Sequence, residues 1–431
     1  MQLPTARRSH QPHPAQLWSD YNTISPATNS PPSMKTLLLL TALLVSNLTF
    51  AANPVDSCLV MPNASFPRLI TDERGNPVLT WIERSESSLS LVHRISTDGG
   101  QTFGEPTRIS LPATTSAHGE DVPKLIFKGD GTRMVVFSLP KPTSDALRAG
   151  NLLYKRSSDQ GKTWSQEQPI HRDTTAGKSH SYAELTRLPN GEVGLIWLDE
   201  KLANREGRTV RFTQTVASGG FGPEIVVDSN ACQCCRPGIV VDKEGRIYLT
   251  YRDWLSAETG LGARDISYTV STDGGQSFSQ PTVLVNDNWQ INACPHSGPQ
   301  LFVQDEAVYA TWYSGTSNHA GIRLARLDKS QTPELIAGSN RTHPQLTGWP
   351  DGRLAMVWEE LVGEAPDAYR QTMVRIYAAN GEFRTKALTA TGELTSLPVL
   401  LPTSTGLLVA YQVWQGQSTS VLVKRVPFFQ P

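Results

Sequence analysis

Three cysteines fall within four residues in "ACQCCRPG", Ala231 to Gly238, and the whole chain has only five. A fourth, Cys294, lies two residues before His296 in "ACPHSGP". Thiolates and imidazoles together make soft donor sets of the kind that takes copper or zinc. Cys232, Cys234, Cys235, Cys294 and His296 are therefore candidate metal ligands. Two other uses stay open. The cysteines could be disulfides, Cys232 or Cys235 with Cys294, or a strained, redox-active vicinal Cys234–Cys235 bond. They could also be buried free thiols. The spacing is not that of a zinc finger. Cys58 is left over and reads as a free, buried thiol.

Which of these uses applies depends on the elements that carry the segments. Three octads match one another: "STDGGQTF" (Ser96–Phe103), "SSDQGKTW" (Ser157–Trp164) and "STDGGQSF" (Ser271–Phe278). The aspartate can accept backbone N–H bonds across a tight turn, and glycine supplies the special dihedral. The closing aromatic then packs back onto the sheet. Each octad separates two alternating stretches, so each is a hairpin turn. A longer repeat contains them: Pro-x-Leu/Ile, a glycine turn, then an apolar strand ending in an aromatic. It recurs seven times from "FPRLITDERGNPVLTWIE" to "LPVLLPTSTGLLVAYQVW". A period of roughly 50 residues predicts an all-β propeller with four-stranded blades. The count is seven, or six if one unit is irregular. The last unit lacks a fourth strand, and "SCLVM" (Ser57–Met61) could supply it and close the ring.

In a propeller, the segments just before the Pro-x-Leu strands gather at one mouth of the central channel. There the second unit brings His118, Glu120 and Asp121, and the third brings His180 and Tyr182. The fourth brings Cys232, Cys234, Cys235 and Arg236, the fifth Cys294 and His296, and the sixth Arg341 and His343. Four of nine histidines and four of five cysteines stand at this one position. This adds His118, His180 and His343 to the candidate ligands. A long insertion, "YRDWLSAETGLGARD" (Tyr251–Asp265), either overhangs the chamber or is a long hairpin. Arg252 and Asp253 are placed to pair with Asp265 and Arg264 across it.

The octads resemble Asp-boxes, the signature of the sialidase superfamily and related propellers, and the resemblance covers about residues 57–429. It implies a propeller with the boxes as structural turns at its periphery. In a sialidase it would also imply three arginines on the substrate carboxylate, a tyrosine nucleophile activated by a glutamate, and an aspartic acid as proton donor. Carried onto this chain, the acid is Asp121 or Glu120, and the nucleophile pair is Tyr182 with Glu184. The arginines come from Arg68, Arg236 and Arg252, with Arg264, Arg323 and Arg341 in reserve. The pattern departs from the family at its first arginine. Two residues before Pro67 stands Ser65, and Arg68, just after it, is expected on the opposite strand face. Tyr182 also lies in an early unit, and the late Tyr313 and Tyr411 end second strands. The "CxCC" and "CPxSGP" segments look similar to a subgroup of bacterial sialidase-like proteins.

Net charge is −1 at pH 7. Nothing in that balance favours nucleic acid. The N-terminal part reads as a targeting segment: Lys35, an apolar run from Leu37 to Val45, and small residues at Ala51-Ala52. The expected organisation is an upstream extension (1–33), a signal peptide (34–52) and one propeller domain (53–431). The protein is expected to be periplasmic or secreted, monomeric and off the membrane once cleaved. Three functions fit: an exo-acting glycosidase, a metal- or thiol-dependent binding protein, or a platform for protein partners.

Overall fold

The computed structural model describes residues 59–255, 261–328 and 332–428, so the targeting segment and Cys58 lie outside the described residues. Among the described residues every regular element is a strand. The strands make seven four-stranded antiparallel sheets, which settles the count at seven blades. In the first blade the strands are Ala64–Thr71, Pro77–Arg84, Leu89–Ile95 and Thr107–Leu111, in chain order from the channel outward. The seventh blade takes its outermost strand from the other end of the chain. Leu59–Pro62 pairs with Ser418–Pro427, Leu59 opposite Val423 and Met61 opposite Val421. The expected closure is present, and it covers the edge of Ser418–Pro427 that would otherwise be bared.

The second strand of each blade holds the core. Val193–Asp199 is buried at every position. It shows no period of two because neighbouring blades cover both of its faces. Trp81, Trp197, Trp312 and Trp358 are fully buried on these strands. Each indole N–H donates to a carboxylate: Glu83, Asp199, Asp287 and Glu360 respectively. The octads are the expected hairpin turns between third and fourth strands. In the first, Asp98 accepts from the Thr102 amide at 2.9 Å and hydroxyl at 2.6 Å, and Ser96 Oγ accepts from the Gly100 amide at 2.7 Å. These bonds, the Thr102 hydroxyl first, hold the Asp98 carboxyl well below its usual range. Gly100 sits at φ 88°, and a Cβ there would meet Leu408 Cδ1 at 2.6 Å.

The first strands carry an irregularity that the repeat does not announce. Phe66, Tyr182, His343 and Leu397, none of them glycine, have φ of 54°, 59°, 53° and 54°. Each marks a β-bulge where the pairing register shifts, as between Ser65 and Arg68 or Ser181 and Glu184. A bulge frees an N–H and re-aims the residues beyond it. At three of the four, a side chain from the preceding blade accepts the freed N–H. Phe66 donates to Gln412 at 3.1 Å, Tyr182 to Asp121 at 3.1 Å and Leu397 to Glu359 at 2.7 Å.

Candidate functional site

The bulges correct two expectations drawn from register. Arg68 does not turn away from the channel. It lines the axial cavity, about 220 Å³ in volume, to which all seven first-strand segments contribute. Glu184 lines the same cavity, whereas Tyr182 points into a separate pocket. Tyr182 and Glu184 are thus not a nucleophile pair. Glu184 instead takes Arg68 Nη2 at 2.9 Å and the Arg236 guanidinium. Lys124 completes this buried group, and sequence reasoning missed it. A signal was there: Arg68, Lys124 and Glu184 occupy the same place in three successive units, one residue after Pro67, Pro123 and Ala183. Burial alone would raise the Glu184 carboxyl. Arg68, Lys124 and Arg236 override it and hold the carboxyl well below its usual range. Burial pushes Lys124 down to about 8, opposed by Glu184. Two candidate clamp arginines are therefore spent on an internal anion.

The other arginines are also engaged inside the protein. Arg252 is buried and donates to the carbonyls of Arg264, Ser297 and Tyr313 at 2.8–2.9 Å. Among the described residues it makes no ion pair across the insertion. Asp253 and Asp265 accept instead from Ser267 Oγ and from the amides of Asn288 and Trp289. Arg264 donates to Cys232 Sγ at 3.2 Å and stacks 3.4 Å over Trp254. Arg323 pairs with Asp287 at 2.9 Å, and Arg341 with Glu360 at 2.9 Å. The acids are engaged too. Glu120 Oε2 accepts from the amides of Arg236 and Gly298 at 2.8 and 2.9 Å. Asp121 Oδ1 accepts from Ser138 Oγ at 3.0 Å and from the Tyr182 amide.

Beside the channel mouth, the second to fifth blades enclose a pocket of about 350 Å³. Among its walls are His118, Asp121, Tyr182, Arg208, Cys234, Cys294 and His296, with the exposed Arg148 at its rim. The His118 and Tyr182 rings meet edge-on with centroids 5.6 Å apart. His118 also stacks with His296 at 6.2 Å. Arg208 lies 5.8 Å from the centre of the Tyr182 ring and is held by Ser181 Oγ and three backbone carbonyls. Burial raises the Tyr182 phenol above its ordinary value, with Cys234 and Asp121 adding to the effect. Burial lowers His118, against the pull of Asp121. Both shifts favour the neutral ring.

The cysteines do converge, and none of the four described ones is joined in a disulfide in this structure. Cys232, Cys234 and Cys235 have their sulfurs within 4.8 Å of one another, all buried. Cys234, Cys294 and His296 form a second group with the same closeness. Cys294 is pushed down to about 5, first by its contact with Cys234 and then by His296. The other candidate ligands part from this cluster. His180 Nδ1 bonds Asp199 at 2.8 Å while its ring stacks on His171 at 3.6 Å. His343 Nε2 donates to the His296 carbonyl at 3.0 Å, and its Nδ1 lies 3.2 Å from Glu359. Burial would lower His343, but Glu359 pushes it up to about 9.

Comparison with known proteins agrees with this architecture. The BNR repeat-like domain family matches residues 122–307. A sialidase of Micromonospora viridifaciens is 25% identical over 341 residues, which is 70% of this chain and 50% of the relative. The chain thus spans about half the length of the curated relative it matches. Among solved structures, an ulvan lyase of a new polysaccharide lyase family aligns with TM-score 0.54 at 11% identity, over 84% of this chain and 94% of that one. The polysaccharide lyase Uly1 aligns at 0.50 and 9% identity, over 84% and 90%. The chain is thus a seven-bladed β-propeller that is similar to BNR-repeat domains over residues 122–307 and to a sialidase over 70% of its length.

Proposed function

We propose that this propeller is carbohydrate-active and takes an acidic sugar in the pocket between its second and fifth blades. The observation that carries the reading is the His118–Tyr182 couple facing that pocket, the two rings edge-on with centroids 5.6 Å apart. A neutral imidazole can accept a proton and a neutral phenol can donate one, the two halves of general acid–base catalysis. Arg148 at the rim offers a charge to a sugar carboxylate. The names of similar proteins support a glycan: one is a sialidase, and an ulvan lyase has been solved with a glucuronate-containing saccharide. Sialidase-type hydrolysis with Tyr182 as nucleophile is the less favoured chemistry, because Glu184 does not reach the phenol and Arg68 and Arg236 are committed to Glu184.

The test uses the full chain against a fluorogenic sialoside and against uronate polysaccharides, with binding by calorimetry and turnover by fluorescence or by absorbance of an unsaturated uronate. Tyr182→Phe and His118→Ala are expected to lower turnover by about 100-fold or more each, with Arg148→Ala weakening binding. Turnover unchanged in both ring variants, or no acidic glycan bound at millimolar concentration, would refute the proposal.

A further inference from the structure

We infer that Cys234, Cys294 and His296 form a binding site for one soft d10 cation, Zn2+ or Cu+, set in the wall of the same pocket. The site is independent of the sugar reading. Three donors from two adjacent blades have their ligand atoms within 4.8 Å of one another. Two thiolates and an imidazole suit these ions, and three protein ligands leave a fourth tetrahedral position for a zinc ion. All three residues line the pocket, so that open position would face it.

Two groups contain Cys234, and the outer one is the better site. In the inner group Cys232 already accepts from the buried Arg264 at 3.2 Å, and its sulfur stands 3.9 Å from Cys235. A guanidinium on that sulfur competes with a metal cation for the same lone pairs. The outer group carries no such cation on its sulfurs among the described contacts.

The surroundings of His296 fit a ligand held in place. Its φ is 46°, a left-handed conformation that is strained for such a residue and persists only where neighbours impose it. His343 imposes it by donating to the His296 carbonyl at 3.0 Å, itself held by Glu359 at 3.2 Å. The next segment is pinned as well, because the Gly298 amide donates to Glu120. Gly298 makes that approach feasible, since a Cβ there would stand 2.1 Å from the Arg236 carbonyl and 2.9 Å from Glu120.

The experiment loads the reduced full chain, without oxygen, with Zn2+ alone and with Cu+ alone against a competing chelator. Metal per chain is read by mass spectrometry, and Co2+ serves as a spectroscopic probe for thiolate charge-transfer bands. One ion per chain is expected, with whichever of Zn2+ or Cu+ outcompetes the chelator identified by the separate arms. Cys294→Ser and His296→Asn should each weaken it more than about tenfold, and His343→Gln by about tenfold as a positioning residue. Asparagine is chosen at 296 because it tolerates the left-handed backbone, and a thermal melt verifies folding. Cys232→Ser should keep the ion. The inference fails if neither ion binds stoichiometrically. It also fails if Cys232→Ser removes an ion that Cys294→Ser retains, or if thiol titration of the oxidised protein shows Cys234 bonded to Cys294 in place of a metal.

Discussion

Replacing Glu184 by glutamine separates a structural anion from a catalytic one. Glu184 is buried against Arg68 at 2.9 Å, the Arg236 guanidinium and Lys124. A hydrogen bond to a charged group contributes about 1.5–3 kcal/mol, so two such bonds amount to roughly 3–6. Removing one partner of a buried pair costs about 3–5 kcal/mol, because the charge left behind is uncompensated. Here three cations would share a narrow channel without their anion. Urea unfolding of Glu184→Gln should therefore show a loss of about 3–5 kcal/mol. Adding Arg68→Met should recover part of it, a non-additivity expected of groups in contact. The pH dependence has a definite sign. The folded carboxyl titrates below its ordinary value of 4.5, so its stabilisation is complete above that pH and fades as pH falls through the folded value. The gap between wild type and variant should narrow in acid. If Glu184→Gln unfolds within about 1 kcal/mol of wild type yet abolishes turnover of a glycan, the ion cluster is not structural and Glu184 is a reacting group.

Two further outcomes follow from the geometry. Deleting the chain through Pro62 removes the strand that pairs with Ser418–Pro427, so the truncated protein should melt lower and self-associate through the bared edge. A monomer on size exclusion with an unchanged melt would show the closure to be dispensable. His343, pushed up from 6.5 to about 9 by Glu359, contributes stability that is complete below pH 6.5 and lost as pH rises through 9. Relative to His343→Gln, wild type should lose its advantage between pH 7 and 10, and a constant difference in melting temperature across that range would contradict the assignment.

What the sequence disclosed was local. An Asp-box turn closes on itself within eight residues, Asp98 holding Thr102 and Ser96 holding Gly100, so its letters carry its whole conformation. The blade count followed from the period, and the closing strand from the absence of a fourth strand in the last unit. The convergence of cysteines and histidines was equally legible, because equivalent places in successive blades are neighbours around the axis. The bulges were not legible. Phe66, Tyr182, His343 and Leu397 lack the glycine that would announce positive φ, and three of their freed amides are accepted by residues 346, 61 and 38 positions away. Without those bulges, alternation puts Arg68 on the wrong face and joins Tyr182 to Glu184. The loss of the arginine clamp was hidden for the same reason, since Arg252 owes its partners to three separate segments.

The two layers of the site are tied together by one dipeptide. Asp121 accepts the Tyr182 amide and so holds the bulge that presents the phenol to the pocket. Glu120, its neighbour, reaches across the mouth to the amide of Arg236, which follows the "CQCC" segment, and to that of Gly298, which ends "CPHSG". One blade thereby sets the phenol and both cysteine-bearing segments at once. Neither carboxylate needs to touch a ligand for its loss to disturb the proposed sugar pocket and the proposed metal site together. A proton donor would act on the substrate alone and leave metal affinity unchanged. Joint loss of both properties on substituting Glu120 or Asp121 is thus the mark of a scaffold. That outcome would place Glu120 and Asp121, the candidate acids of the sequence, among the residues that position the site.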